Sequence, residues 1–486
     1  MILPPTMIGR VPRTAMSLPA VDLAAPAPPT PADLLRWTGF GGALLLTGSA
    51  WVGAGRPSPG VGTASLACGV AGVGLVVLSW VLLGRAIPDS RWLRWTLALW
   101  CAPLLLAPPL FSGDVFSYLA QGEIAARGLD PHAVGPASGL GAASEVVARV
   151  GVHWRDTPSP YGPLFGVVER LVARLSAGDP VTGVLLHRLV GLAGLALVVR
   201  AVPRLAARTG ASPRAALWLG VLNPLVLWHL VAGAHNDALM LGLVLAGTVA
   251  ALGERVVLGI ALISLAALVK LPALAALAVV GTVLARRGGG GVGDLLRAGA
   301  GVVASFAVVA AAVSLSSGLG FGWVRALGTA GRVESWLAPT NWFGFLTGGI
   351  GSLFGARITQ EMIAVGRVAG AALAVCGVAF VLLGQLRGRV DAVASLGLAL
   401  GLVVVLGPVV QPWYVLWALV PLAACRLPTR AWTGLTGLVA VFAVLVPPQA
   451  GDFSGRVGQL VTGYAVGAAL VGAVFLALRE KSKVHV

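Results

Sequence analysis

Charge is what this chain has least of. Of its 486 residues, 11% are Asp, Glu, Lys or Arg, against about 25% in a soluble domain. Hydrophobic residues make up 57%, and the mean hydropathy is +0.90. So few charges leave no surface that water could dissolve. A soluble enzyme and a disordered regulator are excluded. Cysteine is scarce too. The four are Cys68, Cys101, Cys376 and Cys425. Each lies in or at the end of an apolar segment, and no pair has metal-ligand spacing. They read as small buried hydrophobes, not as a disulfide scaffold. Lysine is nearly missing: Lys270, Lys481 and Lys483 are the only three among 34 basic residues. There is no internal repeat, no Gly-rich phosphate loop and no dinucleotide fingerprint. That excludes an ATP-driven pump and a nucleotide-sugar enzyme of the usual kind.

What is present is a series of apolar runs on the scale of about 30 Å of hydrocarbon. They lie near 37–54, 61–84, 95–110, 181–202, 214–232, 236–252, 255–270, 271–285, 297–316, 361–383, 392–409, 412–425, 431–447 and 457–478. The pattern predicts an all-α polytopic membrane protein with about 12–14 transmembrane helices. Residues 1–36 form a flexible Pro/Ala-rich tail without the order of a signal peptide. Residues 37–478 form the transmembrane domain, and 479–486 a basic tail. The net charge is +16. No basic run is interleaved with aromatics, so nucleic acid is not expected as a partner. The arginines instead belong to loops facing anionic membrane lipid. The larger share falls on alternate loops, which predicts both termini inside at the plasma membrane. This holds if 340–355 (PTNWFGFLTGGIGSLF) does not cross. Its Gly and aromatic content reads as a re-entrant or interfacial segment, where non-helical backbone has to be buried in protein or line a wet cavity.

The external loop 111–180 carries seven of the eighteen acids. Residues 114–127 and 163–177 have amphipathic helical period and would lie flat on the outer leaflet.

Several residues there could carry chemistry. Asp114 follows the third run directly. It is either a helix cap or a general base at the outer interface. His235, Asn236 and Asp237 sit between two apolar helices, as a cap or as a polar platform for sugar or phosphate. Lys270 closes the seventh run. It either snorkels to the interface or grips a phosphate as a point charge. Tyr161 stands in a Pro-Tyr-Gly-Pro turn. Gln411, Trp413 and Tyr414, like Asn341 with Trp342, fit an aromatic belt or a sugar face. His187 and Arg188 read as interfacial, with contact to the donor phosphate as the lesser alternative.

Together these pieces resemble a family. Phe111-Ser112-Gly113-Asp114-Val115-Phe116-Ser117-Tyr118, followed by Ala126-Arg127-Gly128-Leu129-Asp130-Pro131, resembles the first external loop of actinobacterial polyprenol-phosphomannose-dependent α-1,6-mannosyltransferases, of the GT-C class. Ser159–Leu164, Gly233–Leu239, Val269–Pro272 and Gln411–Tyr414 look like further landmarks in the same order. The resemblance covers roughly residues 95–425. It implies a GT-C-like bundle with 111–180 as catalytic loop, a polyprenyl-phosphate-linked sugar donor and a mannosylated glycolipid acceptor of the lipomannan type. It implies Asp114 as the base, with Asp130 as the alternative. Lys270 and then His235 would serve the donor phosphate. Tyr118, Tyr161, Asn236, Asp237, Asn341, Gln411, Trp413 and Tyr414 would contact substrate. Many GT-C enzymes bind metal through paired acids. Asp114 has no adjacent acid, so neither metal nor other cofactor is expected. The rival readings are transfer of another sugar, a lipid-linked sugar flippase, and an inactive structural subunit.

Overall fold

A computed structural model describes residues 30–55, 58–326, 328–329, 334–449, 453 and 455–484, the last six by backbone alone. Among them there is no strand; Leu110 and Gln449 form one isolated bridge. The protein is an all-helical polytopic membrane protein. Its helices are α1 (Pro31–Ala54), α2 (Pro59–Leu83), α3 (Ser90–Leu105), α4 (Asp114–Ala126), α5 (Pro136–Leu140), α6 (Glu145–Arg149), α7 (Pro163–Ser176), α8 (Pro180–Thr209), α9 (Pro213–Gly220) and α10 (Asp237–Leu252). They continue with α11 (Val256–Ala267), α12 (Leu274–Arg287), α13 (Val292–Ser317), α14 (Gly322–Arg325), α15 (Pro339–Ser352), α16 (Thr359–Leu386), α17 (Ala392–Val405), α18 (Val415–Ala423), α19 (Thr429–Leu445) and α20 (Val457–Val484).

Five of them, α2, α8, α13, α16 and α20, are long and apolar enough to cross a membrane alone. Helices α13, α16 and α20 keep a hydropathy of 2.0–2.1 while most of that surface stays unburied by protein. Such surface is stable only against lipid. Run 37–54 lies whole within α1, a continuous helix of 24 residues; the other expected runs are shorter helices or are broken. Run 214–232 is not one span. Helix α9 stops at Gly220, Asn223 turns the chain, and residues 226–232 form a π-helical turn. The Asn223 amide donates to Leu219 O (2.8 Å), and its Oδ1 accepts from Val226 N (3.1 Å). The π-turn then meets α10 at 107°. Runs 255–270 and 271–285 are likewise trimmed to α11 and α12, with Lys270 in extended backbone between them. Segment 340–355 is helical, as α15, and packs along α16. Its 14 residues reach roughly 21 Å at 1.5 Å each, too short to cross.

The tail boundaries also move. Thr30 caps α1 with Asp33 in a reciprocal capping box, so the helix begins at Pro31 within the expected tail. Residues 1–29 lie outside the described residues. At the other end the α20 backbone runs on through the expected basic tail to Val484.

The main core is an apolar cluster running from Ala43 on α1 to Ala443 on α19, with a small second one of Leu268, Ala310 and Trp323. Trp80 and Trp218 stack at 4.8 Å and exchange indole bonds to each other's carbonyls, which joins α2 to α9. Helices α8 and α10 touch backbone to backbone. A Cβ at Gly242 would stand 2.4 Å from Gly194 O, so only glycine fits. In the long loop, α4 and α7 do form over the amphipathic stretches, and they pack on each other.

Candidate active site

Helix α4 starts beside a strained residue. Phe111 has φ 62° and stacks on Trp228 at 5.2 Å. Ala234, just before His235, has φ 53°. Residues with a Cβ rarely adopt this left-handed conformation, and such strain collects at functional sites. Here it holds two candidate residues from opposite sides. Gly113 is the cap of α4, so Asp114 is the first helical residue and its side chain is not the cap. The carboxylate faces a cavity of about 220 Å³, with Oδ2 3.7 Å from His235 Nδ1. Burial pushes the Asp114 carboxyl up to about 6, against the pull of Lys270.

Across the cavity stands Lys270. Its ammonium lies 3.0 Å from both oxygens of Asp237, the first residue of α10, which is fully buried. Trp417 Nε1 also donates to Asp237 Oδ1, at 2.7 Å. Lys270 Nζ sits 4.6 Å from the Tyr414 ring and 5.3 Å from Trp417, so aromatic faces hold the cation together with the carboxylate. Gln411, Trp413, Tyr414, Trp417 and Tyr161 complete the wall.

The turn that carries Tyr161 is fixed to the end of α11. Gly162 N donates to Val269 O at 3.4 Å, and Leu164 N to Leu268 O at 3.2 Å. A Cβ at Gly162 would meet Leu268 O at 2.2 Å, so no other residue allows this approach. Burial pushes the Tyr161 phenol well above its usual range.

Behind the wall, His235 stacks on Trp413 at 3.9 Å, and the His229 ring is 5.7 Å from His235. Among the described residues, both ring nitrogens of His235, both amide atoms of Asn236, His229 Nδ1 and Trp413 Nε1 are buried without a hydrogen-bond partner. Native proteins leave few such atoms unpaired. Their gathering behind one cavity marks it as polar ground waiting for a partner. No group of three His, Cys, Asp or Glu side chains converges among the described residues.

The structure thus brings Asp114, Tyr161, Lys270, Gln411, Trp413 and Tyr414 to one cavity, with His235, Asn236 and Asp237 directly behind. It places three candidates outside the lining. Tyr118 is fully buried beside the site, its ring among Tyr161, Phe165 and His187 and its hydroxyl by Tyr161 and the Asn236 backbone. Asp130 accepts from His132 N at 2.9 Å, and His132 Nε2 reaches Tyr161 O at 3.0 Å, so Asp130 braces the turn from outside the lining. Asn341 donates to Ser335 O and Pro408 O and accepts from Arg367 Nε at 2.8 Å, which locks α15 to its neighbours. His187 and Arg188 are buried, not interfacial. Arg188 donates to the carbonyls of Leu105, Ala107, Pro108 and Ala232. Sequence reasoning missed His229, Trp417 and Trp154. His229 was findable as a lone polar residue in an apolar run, and Trp417 as one turn beyond Tyr414.

A family model described as alpha-(1->6)-mannopyranosyltransferase, N-terminal domain, matches residues 36–286. The chain belongs to that family. A second model, described as MptB C-terminal domain, matches residues 340–477. A probable alpha-(1->6)-mannopyranosyltransferase of Mycolicibacterium smegmatis is 43% identical over 74% of this chain and 71% of its own. An alpha-(1->6)-mannopyranosyltransferase of Mycobacterium tuberculosis is 39% identical over 84% and 79%. Alpha-(1->6)-mannopyranosyltransferase B of Corynebacterium glutamicum is 36% identical over 78% and 68%. No solved structure matches. The membership agrees with the loop motifs and places the chain among membrane glycosyltransferases.

Proposed function

We propose that the protein is an inverting mannosyltransferase. It moves mannose from polyprenyl-phosphomannose to a mannosylated lipid acceptor, of the kind that grows into α-1,6-mannan. The observation that carries this reading is the pairing across one cavity: a carboxylate raised toward neutrality faces a lysine fixed by a buried carboxylate, between aromatic walls. Asp114 takes the proton from the acceptor hydroxyl as its oxygen attacks the anomeric carbon. The bond from that carbon to the phosphate oxygen breaks, and its electron pair leaves with the polyprenyl phosphate. Lys270 offsets that charge. Its ammonium is held by both oxygens of Asp237 and beside the Tyr414 side chain, at the cavity wall where the phosphate would leave. Attack opposite the leaving group turns a β-linked donor into an α-mannoside. The aromatic faces of Tyr161, Trp413 and Tyr414 suit the apolar faces of a hexose. The distribution of Lys and Arg supports placing this end of the bundle on the outer face of the plasma membrane, with both termini inside. A lipid-linked donor could then reach the cavity from the bilayer.

The test is transfer of radiolabelled mannose in membranes that express wild type or Asp114→Asn, with and without EDTA. Wild-type transfer that survives EDTA and falls by about 100-fold or more in the variant is expected. A donor left intact by wild type, while a known mannosyltransferase works alongside, would replace mannose by another sugar or by transport.

A further inference from the structure

A second cavity, of about 460 Å³, lies where the ends of α8, α10 and α12 meet the start of α17. It is far from the first. Helix α10 begins at Asp237 of the candidate site and ends at Leu252 in this lining. Sixteen residues separate the two by roughly 24 Å. Three guanidinium groups line it, Arg208, Arg286 and Arg287, against one carboxylate, Asp391.

Two of the arginines have structural work. Arg208 and Arg287 both donate to Leu252 O, and Arg287 also to Ala251 O at 3.3 Å, which caps the end of α10. Asp391 is engaged as well: it caps α17 and accepts from Val393 N and Ala394 N at 2.9 Å each. Arg286 has neither role. Among the described residues no acceptor meets its guanidinium, although it lies at the same wall. A cluster with three positive charges and one occupied negative charge concentrates positive potential in a cleft. An arginine fork matches phosphate in two parallel bonds. The remaining wall carries an apolar strip, Leu252, Val283, Ala392 and Val393, beside the polar Thr209 and Gln385. A free ion has no use for such a wall, whereas a phosphate joined to an apolar body has. The cavity also opens where the helices end, at the level of headgroups.

We propose that this cavity binds the phosphate of an anionic phospholipid, with the lipid's apolar part lying along Leu252, Val283 and Val393. Arg286 supplies the free fork, and Arg208 and Arg287 add their unused N–H donors. The site is independent of mannosyl transfer and of its residues. In the orientation proposed above it lies in the inner leaflet, so it reads a lipid on the face opposite the chemistry.

The experiment counts lipids retained by the purified full chain in native mass spectrometry, titrated with phosphatidylglycerol or phosphatidylcholine. Wild type, Arg286→Gln and Arg286→Lys are compared, with Arg430→Gln as a control outside the lining. One tightly held phosphatidylglycerol is expected, preferred over phosphatidylcholine, with about tenfold weaker retention in Arg286→Gln. Arg286→Lys should recover part of it. Equal retention of the two lipids by wild type would overturn the proposal without any variant. So would unchanged retention in Arg286→Gln. Inorganic phosphate is added as a separate arm, read by thermal unfolding. If millimolar phosphate protects wild type as well as the lipid does, the site takes a free anion and the lipid assignment falls.

Discussion

Two buried polar centres lie close together in this molecule and are built in opposite ways. Around Arg188 the guanidinium meets four carbonyls, those of Leu105, Ala107, Pro108 and Ala232. Three of these lie where α3 ends, and the fourth lies at the end of the π-turn. At the break between the π-turn and α10, His229, His235 and Asn236 keep polar atoms with no partner among the described residues. The first centre is closed and serves architecture. The second is open on one side, to the cavity with Asp114 and Lys270. A satisfied buried network fixes a fold; a partly satisfied one costs stability. The cost is tolerated where something else completes it during function.

Substitutions can pull the two centres apart. Lys270→Met should have the largest effect, because it strikes both properties. It leaves the fully buried Asp237 with Trp417 alone, which costs about 3–5 kcal/mol, and it removes the cation for the leaving phosphate. Thermal unfolding and mannosyl transfer should fall together. Arg188→Met should separate them. Its carbonyls lose a charged donor, and stability drops on the order of 3 kcal/mol, while KM measured on the folded fraction stays unchanged. A raised KM would show that Arg188 touches substrate after all.

The pH profile is the next test. Asp114 acts as a base only when ionised, and its carboxyl lies near 6. Transfer should therefore fall about tenfold for each pH unit below 6 and level off above it. The same displacement has the reverse sign for stability. The folded value stands above the ordinary 3.8, so the ionised form opposes folding. That penalty grows as pH rises from about 4 to 6 and is fully present above. Asp114→Asn should remove the inflection in thermal stability. If wild type shows none, the carboxyl is not buried as described. His235→Phe gives the smallest expected effect. Phenylalanine keeps the stack on Trp413 and removes two unpartnered nitrogens, so stability should hold or rise slightly. Transfer should fall by about tenfold as the neighbour of Asp114 is lost. An unchanged rate would make His235 a spacer.

Much of the site was legible because its residues break an apolar background. Asp114, Lys270 and the His235-Asn236-Asp237 cluster are conspicuous among leucines and valines. Helices α4 and α7 were legible because polar and apolar residues alternate with helical period along them, although α4 lies packed in protein with no exposed residue and not flat on a leaflet. The break at 221–236 was not. Its run Val221–Ala234 is apolar on every side and fully buried, so it carries no period, and Asn223 and Pro224 were read through as parts of a span. Asn341 and Arg188 misled for a related reason. A polar residue in an apolar segment signals a partner, but the sequence does not say whether that partner is a substrate or a carbonyl far along the chain.

The fastening of the Tyr161 turn to the end of α11 limits how this cavity can open. Gly162 and Leu164 hold the backbone of Leu268 and Val269, and Lys270 follows directly. The turn and the lysine form a single rigid jamb. Substrate has to enter without displacing this jamb, and the facing side, lined by Val403, Val404 and Pro408, is tied separately, through Asn341 and Thr340 of α15 to the carbonyls of Pro408 and Gly407.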